Sequence, residues 1–364
     1  MTLWVVKLGT SLLRGDDLRS TAMMIKGYAS CIASARVRGD QVVLVTSGAV
    51  GLGCQRLKLR HRPDNVVALQ ATAAIGQGHL MALYDQAMAA HDMSVAQVLL
   101  TRSDLADRRR YHNASRTIQQ LLEWGVLPVI NENDALSPVE LRFGDNDTLS
   151  ALVAGAVEAD QLILLTDVDR LYSADPRVDS EARPISDVHH PNQLQALEDA
   201  AGSGGRWGTG GMTTKLAAAR IATASGITVH LADGRDPSRL EELLRGGRGG
   251  TVFHPSSQPL GNRRSWLAHV LKPEGELHLD AGACRALRER GASLLQVGIT
   301  AIEGDFEANQ PVILRDPDGQ EVGRGLCSRD SDSLRIALLK PHQAGTSPVV
   351  VHRDALVLRE RHFS

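Results

Sequence analysis

The chain has 364 residues, 43% of them hydrophobic, and its 40 Lys plus Arg against 42 Asp plus Glu give a formal net charge of −2. That balance excludes the strong basic excess of a general nucleic-acid or membrane-surface binder, while the apolar share is ample to bury a core. No apolar run approaches the roughly 18 residues that span a bilayer, and the N-terminus lacks the charged start and cleavage site of a signal peptide, so a cytoplasmic location is expected.

From the N-terminus to about Asp233, β-branched runs alternate with Ala- and Leu-rich segments whose apolar residues recur every three or four positions, the pattern of βαβ units around a mostly parallel sheet. Strands are expected at Leu3 to Leu8, Gln41 to Thr46, Ser94 to Leu100, Leu127 to Asn131, Gln161 to Thr166 and Ile227 to Ala232. Helices are expected at Thr21 to Arg38, Asn65 to Ala90, Tyr111 to Trp124 and Asp147 to Ala159. A turn-rich stretch around Gly246 to Pro259 marks a change of composition, which sets the first domain at 1–255 and a linker at 256–272. A small β-rich domain at 273–355 follows, with a helix at Ala281 to Arg290, strands around Glu276 to Leu279, Leu294 to Ile299, Pro311 to Leu314 and Glu321 to Leu326, and a hairpin turn at Asp316-Pro317-Asp318-Gly319. The charged segment from Val351 onward is expected to be partly loose.

In open α/β sheets, ligands collect at the carboxyl ends of the strands. Here those ends read Lys7-Leu8-Gly9-Thr10-Ser11, Thr46-Ser47-Gly48-Ala49, Asn131-Glu132-Asn133-Asp134 and Thr166-Asp167, so one edge gathers polar, glycine and acidic residues. Two segments suit phosphate: Lys7 to Ser11, and Thr209-Gly210-Gly211-Met212-Thr213-Thr214-Lys215. Each combines glycine, hydroxyls and an ammonium in front of a helix whose N–H groups and dipole favour anions. Of the 40 cations only six are Lys, at positions 7, 26, 58, 215, 272 and 340, so finding one in each loop is informative. Ordinary glycine turns with an exposed Lys are the alternative. Gly144-Asp145-Asn146-Asp147 precedes a helix, where a carboxylate caps the helix, anchors Mg²⁺ or orients the two lysines.

Other signals are discounted. No Walker A, complete GxGxxG, GxSxG or HExxH motif occurs, and Cys31, Cys54, Cys284 and Cys327 form no CxxC pair. His352-Arg353-Asp354 mimics a protein-kinase loop without its downstream partners, and Arg108-Arg109-Arg110 reads as a solvated helix start. His189-His190 lies in a polar loop without a partner at metal-ligand spacing and reads as a solvated pair.

At its strand ends the chain resembles the amino acid kinase superfamily and, within it, the glutamate 5-kinases. The matching stretches are Val5 to Ser11, Val45 to Ala49, Leu100 to Arg102, Pro128 to Asp134, Gly144 to Asp147, Leu165 to Asp167 and Gly208 to Lys215. The resemblance implies a three-layer αβα sandwich with a mostly parallel open sheet, transferring a phosphoryl group from ATP to the side-chain carboxylate of L-glutamate in proline biosynthesis. It implies that Lys7 and Lys215 neutralise the transferring phosphoryl group and that Asp147 orients both. It also implies that Ser47, Gly48, Asn131, Asp134 and Asn146 hold glutamate, with the Asp134 carboxylate on its α-ammonium. Lys7, Gly9, Thr166, Asp167, Thr209, Gly210, Gly211, Met212, Thr213, Thr214 and Lys215 would line the ATP side, with Mg²⁺ bridging the phosphates and no protein side chain assigned to the metal. Feedback inhibition by proline, a homo-oligomer (dimer or tetramer) and functional coupling to the next enzyme of proline biosynthesis are further implications.

The second domain resembles a PUA domain through Leu279 to Ala283, Gly291 to Leu295, Gly298-Ile299 and Gly304 to Phe306. It departs from that pattern at Gln296, where Pro is usual, at Asn309-Gln310-Pro311, at Cys327-Ser328-Arg329, and in a shortened Lys340 to Val351. Few aromatics and no basic stripe leave little for RNA to stack on or pair with, so an oligomerisation or regulatory role is expected in place of RNA binding.

Overall fold

Side chains alternate across a strand, and in Leu3–Leu8 (β1) this sends Trp4, Val6 and Leu8 into one apolar layer while Val5 and Lys7 face the other. The computed structural model describes residues 1–13, 20–101, 104–105, 108–136, 146–176, 179–190, 193–194, 196–197, 211–257, 259, 273–339 and 347–359. It divides into two units, Met1–Pro259 and Leu260–Ser364. The expected linker at 256–272, Lys272, and most of the shortened stretch after Lys340 lie largely outside the described residues.

In the first unit β1 is followed by α1 (Thr10–Leu13), α2 (Thr21–Val37), β2 (Gln41–Val45), α3 (Ala49–Arg56), α4 (Val66–Ala89), β3 (Val95–Leu100), α5 (Arg108–Glu123) and β4 (Leu127–Glu132). Then come α6 (Asn146–Ala156), β5 (Gln161–Thr166), β6 (Leu171–Tyr172), β7 (Pro184–Ile185), β8 (Asp187–Val188), α7 (Gly211–Ala224), β9 (Thr228–Asp233), α8 (Ser238–Leu244) and β10 (Thr251–Phe253). The eight-stranded sheet has the order β3-β4-β2-β1-β5-β9-β10-β8, parallel from β3 to β9, with β10 antiparallel to β9. One face packs Val6, Leu44, Val129 and Leu165 against Tyr28 and Ile32 of α2, Leu80 and Met88 of α4 and Leu243 of α8. On the other face α6 packs on β1 and β5, and α7 on β9, completing three layers. Strands covered on both faces read as near-continuous apolar runs, which is why they stand out in the sequence.

One segment differs from expectation. α4 contains a window of mean hydropathy 1.3, long and apolar enough by length and composition to cross a membrane. Its buried face nonetheless carries Thr72 and Gln77, and its Tyr84 hydroxyl bonds the Thr46 hydroxyl at 2.7 Å, so the helix packs as a layer of the fold against α2 and α3. The contact with α3 depends on two glycines. A Cβ at Gly76 would stand 1.7 Å from the Ala49 carbonyl oxygen, and one at Gly53 would stand 2.0 Å from that of Thr72.

His230 of β9 lies beside Gln161 of β5, its Nε2 2.7 Å from Gln161 Oε1. Burial first, and then the nearby His254, pull its pKa from 6.5 down to about 4. Between those values the unfolded chain binds a proton that the folded imidazole refuses, so stability falls as pH drops from about 6.5 to about 4. The expected loss over this window is up to about 3 kcal/mol. Urea unfolding at pH 7 and pH 4.5 should reveal it, and His230→Gln should flatten it; a wild-type chain with the same stability at both pH values contradicts this account.

In the second unit, β11 (Gly275–Leu279), α9 (Ala281–Arg290), β12 (Leu294–Leu295), β13 (Ile299–Glu303), β14 (Pro311–Arg315), β15 (Glu321–Cys327), α10 (Ser331–Leu338) and β16 (Val349–Leu358) form a six-stranded sheet of order β12-β16-β15-β14-β11-β13 around Leu277, Leu314, Val322, Cys327 and Val351. Asp280 caps α9 by accepting from the Ala283 N–H at 2.6 Å, and Gly291 closes it in the left-handed region at φ 57°. The stretch Leu294 to Ile299 is not one strand. A 3₁₀ turn at Gln296–Gly298 separates β12 from β13, and these two lie at opposite edges of the sheet, so the turn carries the chain from one edge to the other. Gln296 is buried there, donating to the Ala337 carbonyl at 3.1 Å. The expected loose C-terminus is corrected as well: Val349–Leu358 is a ten-residue strand pairing with both β12 and β15. Its buried Val350, Val351, Ala355 and Leu356 supply the apolar area that its charged residues mask in a composition count.

Candidate active site

The pleat of β1 turns Lys7 toward the layer that holds α6 and α7, and those two helices pack on each other. Asp147 is the second residue of α6, where the positive end of the helix dipole favours a carboxylate. Its Oδ1 pairs with Lys7 Nζ, and its Oδ2 takes Lys215 Nζ at 3.1 Å and the Thr214 hydroxyl at 3.2 Å. The carboxylate is fully buried, and the Lys7 and Lys215 side chains are only 5% and 13% exposed. Burial by itself would push the Asp147 carboxyl up, but the two ammonium charges and their hydrogen bonds outweigh it and hold the group below its ordinary range. The result is a desolvated carboxylate carrying two cations, one from the sheet and one from a helix. Each carboxylate oxygen thus faces one lysine ammonium.

Lys215 lies inside α7, not in a loop ahead of it, because nothing after Gly211 interrupts the helix. Its Nζ also donates to the Gly211 carbonyl at 3.1 Å, and Thr214 does so at 2.9 Å, tying the ammonium to the first turn. Met212 and Thr213 are half-buried in the same turn; Thr209 and Gly210 lie outside the described residues. Gly9 sits just past β1, donating its N–H to the Leu165 carbonyl at 3.2 Å, which places it beside Thr166 at the end of β5. Thr166 is buried and donates to Asp167 at 3.1 Å, while Asp167 itself is exposed.

A second cluster starts from the neighbouring residue, Asn146. Asn146 Nδ2 reaches the Thr46 carbonyl, Ser47 Oγ at 3.1 Å and Asn131 Oδ1 at 2.7 Å, so one amide joins the ends of β2, β4 and α6. Asn131 in turn donates to Gln77 Oε1 at 2.8 Å, and its Oδ1 also accepts from the Glu132 N–H at 2.9 Å. Gly48 follows Ser47 with φ 96°, a left-handed conformation that turns the chain sharply into α3 and that a side chain would strain. Asp134 lies half-buried in the turn after β4, three residues beyond Asn131. Asp145, Gly144 and Arg102 are outside the described residues. Gln77 is the residue that sequence reading missed. Its signal is a polar side chain on the buried face of an apolar helix, and only the fold reveals that it reaches Asn131.

Residues 2–233 match the model of the amino acid kinase family, and residues 275–342 match that of the PUA domain. A glutamate 5-kinase of Synechococcus sp. (strain CC9605) is 76% identical over 361 residues, covering 99% of this chain and all of the relative. The glutamate 5-kinase of Prochlorococcus marinus (strain MIT 9313) is 70% identical over 359 residues, 99% of each chain. Among solved structures, a carbamate kinase from Giardia lamblia bound to AMP-PNP superposes with a TM-score of 0.51 at 19% identity, over 70% of this chain and 99% of that one, a likeness of fold alone. With a family match across the described core of the first unit and full-length relatives at this identity, the chain belongs to the glutamate 5-kinases of the amino acid kinase family, with a PUA domain at its C-terminal end.

Proposed function

We infer that the chain transfers the γ-phosphoryl group of ATP to the side-chain carboxylate of L-glutamate, giving L-glutamyl 5-phosphate and ADP in the first step of proline biosynthesis, in the cytoplasm. The observation that carries this reading is the buried Lys7–Asp147–Lys215 triad in a chain with glutamate 5-kinase relatives along its whole length. In the transfer, a glutamate carboxylate oxygen forms a bond to the γ-phosphorus while the bond to the bridging oxygen of ADP breaks. An anion attacks an anion, so the barrier is electrostatic, and preorganised cations lower it more than a nucleophilic side chain would. Lys7 and Lys215 meet the equatorial charge, and Asp147 holds both ammonium groups so that no reorganisation is needed when that charge moves.

The Ser47, Asn131 and Asn146 cluster, with Gly48 leaving room for the chain to turn, is suited to the glutamate, and the Asp134 carboxylate to its α-ammonium. Gly9, Thr166, Asp167 and the segment from Thr209 through Gly210, Gly211, Met212, Thr213 and Thr214 to Lys215 form the ATP side. Both Asp147 oxygens are engaged by cations, which fits Mg²⁺ carried on the phosphates, where it would supply further charge neutralisation. Inhibition by proline, a homo-oligomer, coupling to the next enzyme of the pathway and a regulatory or assembly role for the PUA domain belong to the same proposal.

The test is an ADP-release assay on the full chain with L-glutamate, N-acetylglutamate and L-aspartate as acceptors, with and without proline. Turnover with L-glutamate, suppressed by proline, is expected; turnover with either other acid and none with L-glutamate would overturn the reading. Within the glutamate cluster, Gln77→Leu should leave the Asn131 amide without its partner. Losing that hydrogen bond should raise the half-saturating glutamate concentration about tenfold with that for ATP unchanged. Equal effects on both substrates would argue against a local role.

A further inference from the structure

The edge of the first unit's sheet gathers three ligand-type side chains that phosphoryl transfer does not use. β10 and β8 run parallel with Val252 opposite Asp187 and Phe253 opposite Val188, and the His254 N–H continues the ladder to the Val188 carbonyl at 2.9 Å. Extending that register puts His254 opposite His189, and Asp187, two residues before His189, points to the same side. The side chains meet accordingly. His254 Nε2 lies 2.8 Å from Asp187 Oδ1, and the rings of His189 and His254 stack at 4.2 Å with 15° between their planes. One ligand atom from each of the three lies within 4.8 Å of the others. His189, read from sequence as a solvated loop residue, therefore gains a partner 65 positions away that no local spacing announces.

We propose that Asp187, His189 and His254 form a binding site for a divalent cation of the Zn²⁺ class. Two imidazoles and one carboxylate are the donor set of borderline metals, whereas Mg²⁺ and Ca²⁺ prefer oxygen ligands throughout. His189 is exposed, and β8 is the last strand of its sheet among the described residues, so an ion there would be open to water as a fourth ligand. A second group, Glu276, His278 and Glu303 on β11 and β13, provides a contrast. There Glu276 is held on both oxygens by the Arg315 guanidinium, which supplies the positive charge a metal would bring. At the first group no guanidinium bonds the carboxylate among the described residues. An ion there would staple β8, which shares only two register pairs with β10, to the rest of the sheet.

The alternative is that these side chains merely cover an exposed strand edge with polar groups. The two are separated by titrating the EDTA-treated full chain with Zn²⁺ by calorimetry, and with Co²⁺ by visible absorption, alongside thermal unfolding. One equivalent of Zn²⁺ that raises the melting temperature is expected. His189→Ala, at an exposed position that leaves folding intact, and Asp187→Asn should each weaken binding by at least about tenfold and abolish the thermal shift. His278→Ala should change neither. No bound equivalent, or binding that survives His189→Ala and Asp187→Asn, overturns the site, as does binding lost only in His278→Ala.

Discussion

Asp147→Asn is expected to lower turnover at neutral pH by at least about a hundredfold while changing the half-saturating ATP concentration little. The wild-type carboxylate is fully buried and neutralises two ammonium groups that are themselves nearly buried. An amide of the same shape can still accept hydrogen bonds but carries no charge, so two cations would be left in a low-dielectric site. Removing one side of such a pairing typically costs about 3–5 kcal/mol. In the variant that penalty is relieved when one ammonium sheds its proton, which removes a charge the transfer requires. Acid then has opposite consequences in the two proteins. The variant should gain turnover as pH falls from about 8 toward 6, because protonation restores the missing cation. In the wild type, Asp147 is held below its ordinary range, so the stability it contributes is complete above the unfolded carboxylate value near 4 and is lost only as pH falls through the lower folded value. A variant with reduced turnover but a wild-type pH profile would mean that Asp147 serves packing alone. Full activity of Asp147→Glu, which keeps the charge but displaces it, would mean that the charge is needed and its exact position is not.

Lys7→Arg and Lys215→Arg should each reduce turnover by about a hundredfold or more although the charge is kept, a loss in the range seen when one preorganised transition-state donor is removed. Lys7 emerges from the middle of a sheet with Val45 and Leu164 as its register neighbours, and Lys215 is bound to both Asp147 and its own helix turn. A compact ammonium can follow a phosphoryl group moving between two oxygens; a planar guanidinium is a rigid fork and needs more room than the 5% exposed Lys7 pocket offers. Steady-state kinetics with both substrates varied would decide. Near-normal turnover in either variant would mean that charge alone matters at that position.

How much of this could be read without coordinates differs from element to element. β1 and β5 lie at their expected positions, Leu3–Leu8 and Gln161–Thr166, because central parallel strands are buried on both faces and spell unbroken apolar runs. α2 and α4 are also within a residue of expectation, with Ser20 and Asn65 accepting the capping N–H groups of Met23 and Ala68. The short strands β6, β7, β8 and β10 carried no such signal. Two or three residues cannot display a period, and their pairing is made by partners distant in sequence. β16 was obscured for a related reason, since its exposed His352-Arg353-Asp354 run interrupts the apolar pattern and gives the segment the composition of a loose tail.

The same division holds within the site. Which residue types stand at the strand ends, and that two of only six lysines lie in glycine-rich segments, is a property of the chain itself. That Lys7 and Lys215 share one carboxylate, that Asn146 bridges to Asn131 and Ser47, and that Gln77 reaches them from a helix is a property of the packing. So is the meeting of His189 with His254. Local periodicity encodes what each segment buries, and hence the layers. Only the closing of those layers brings Asp147 between two ammonium groups about 140 and 68 positions away, where the exclusion of water gives the three charges their strength.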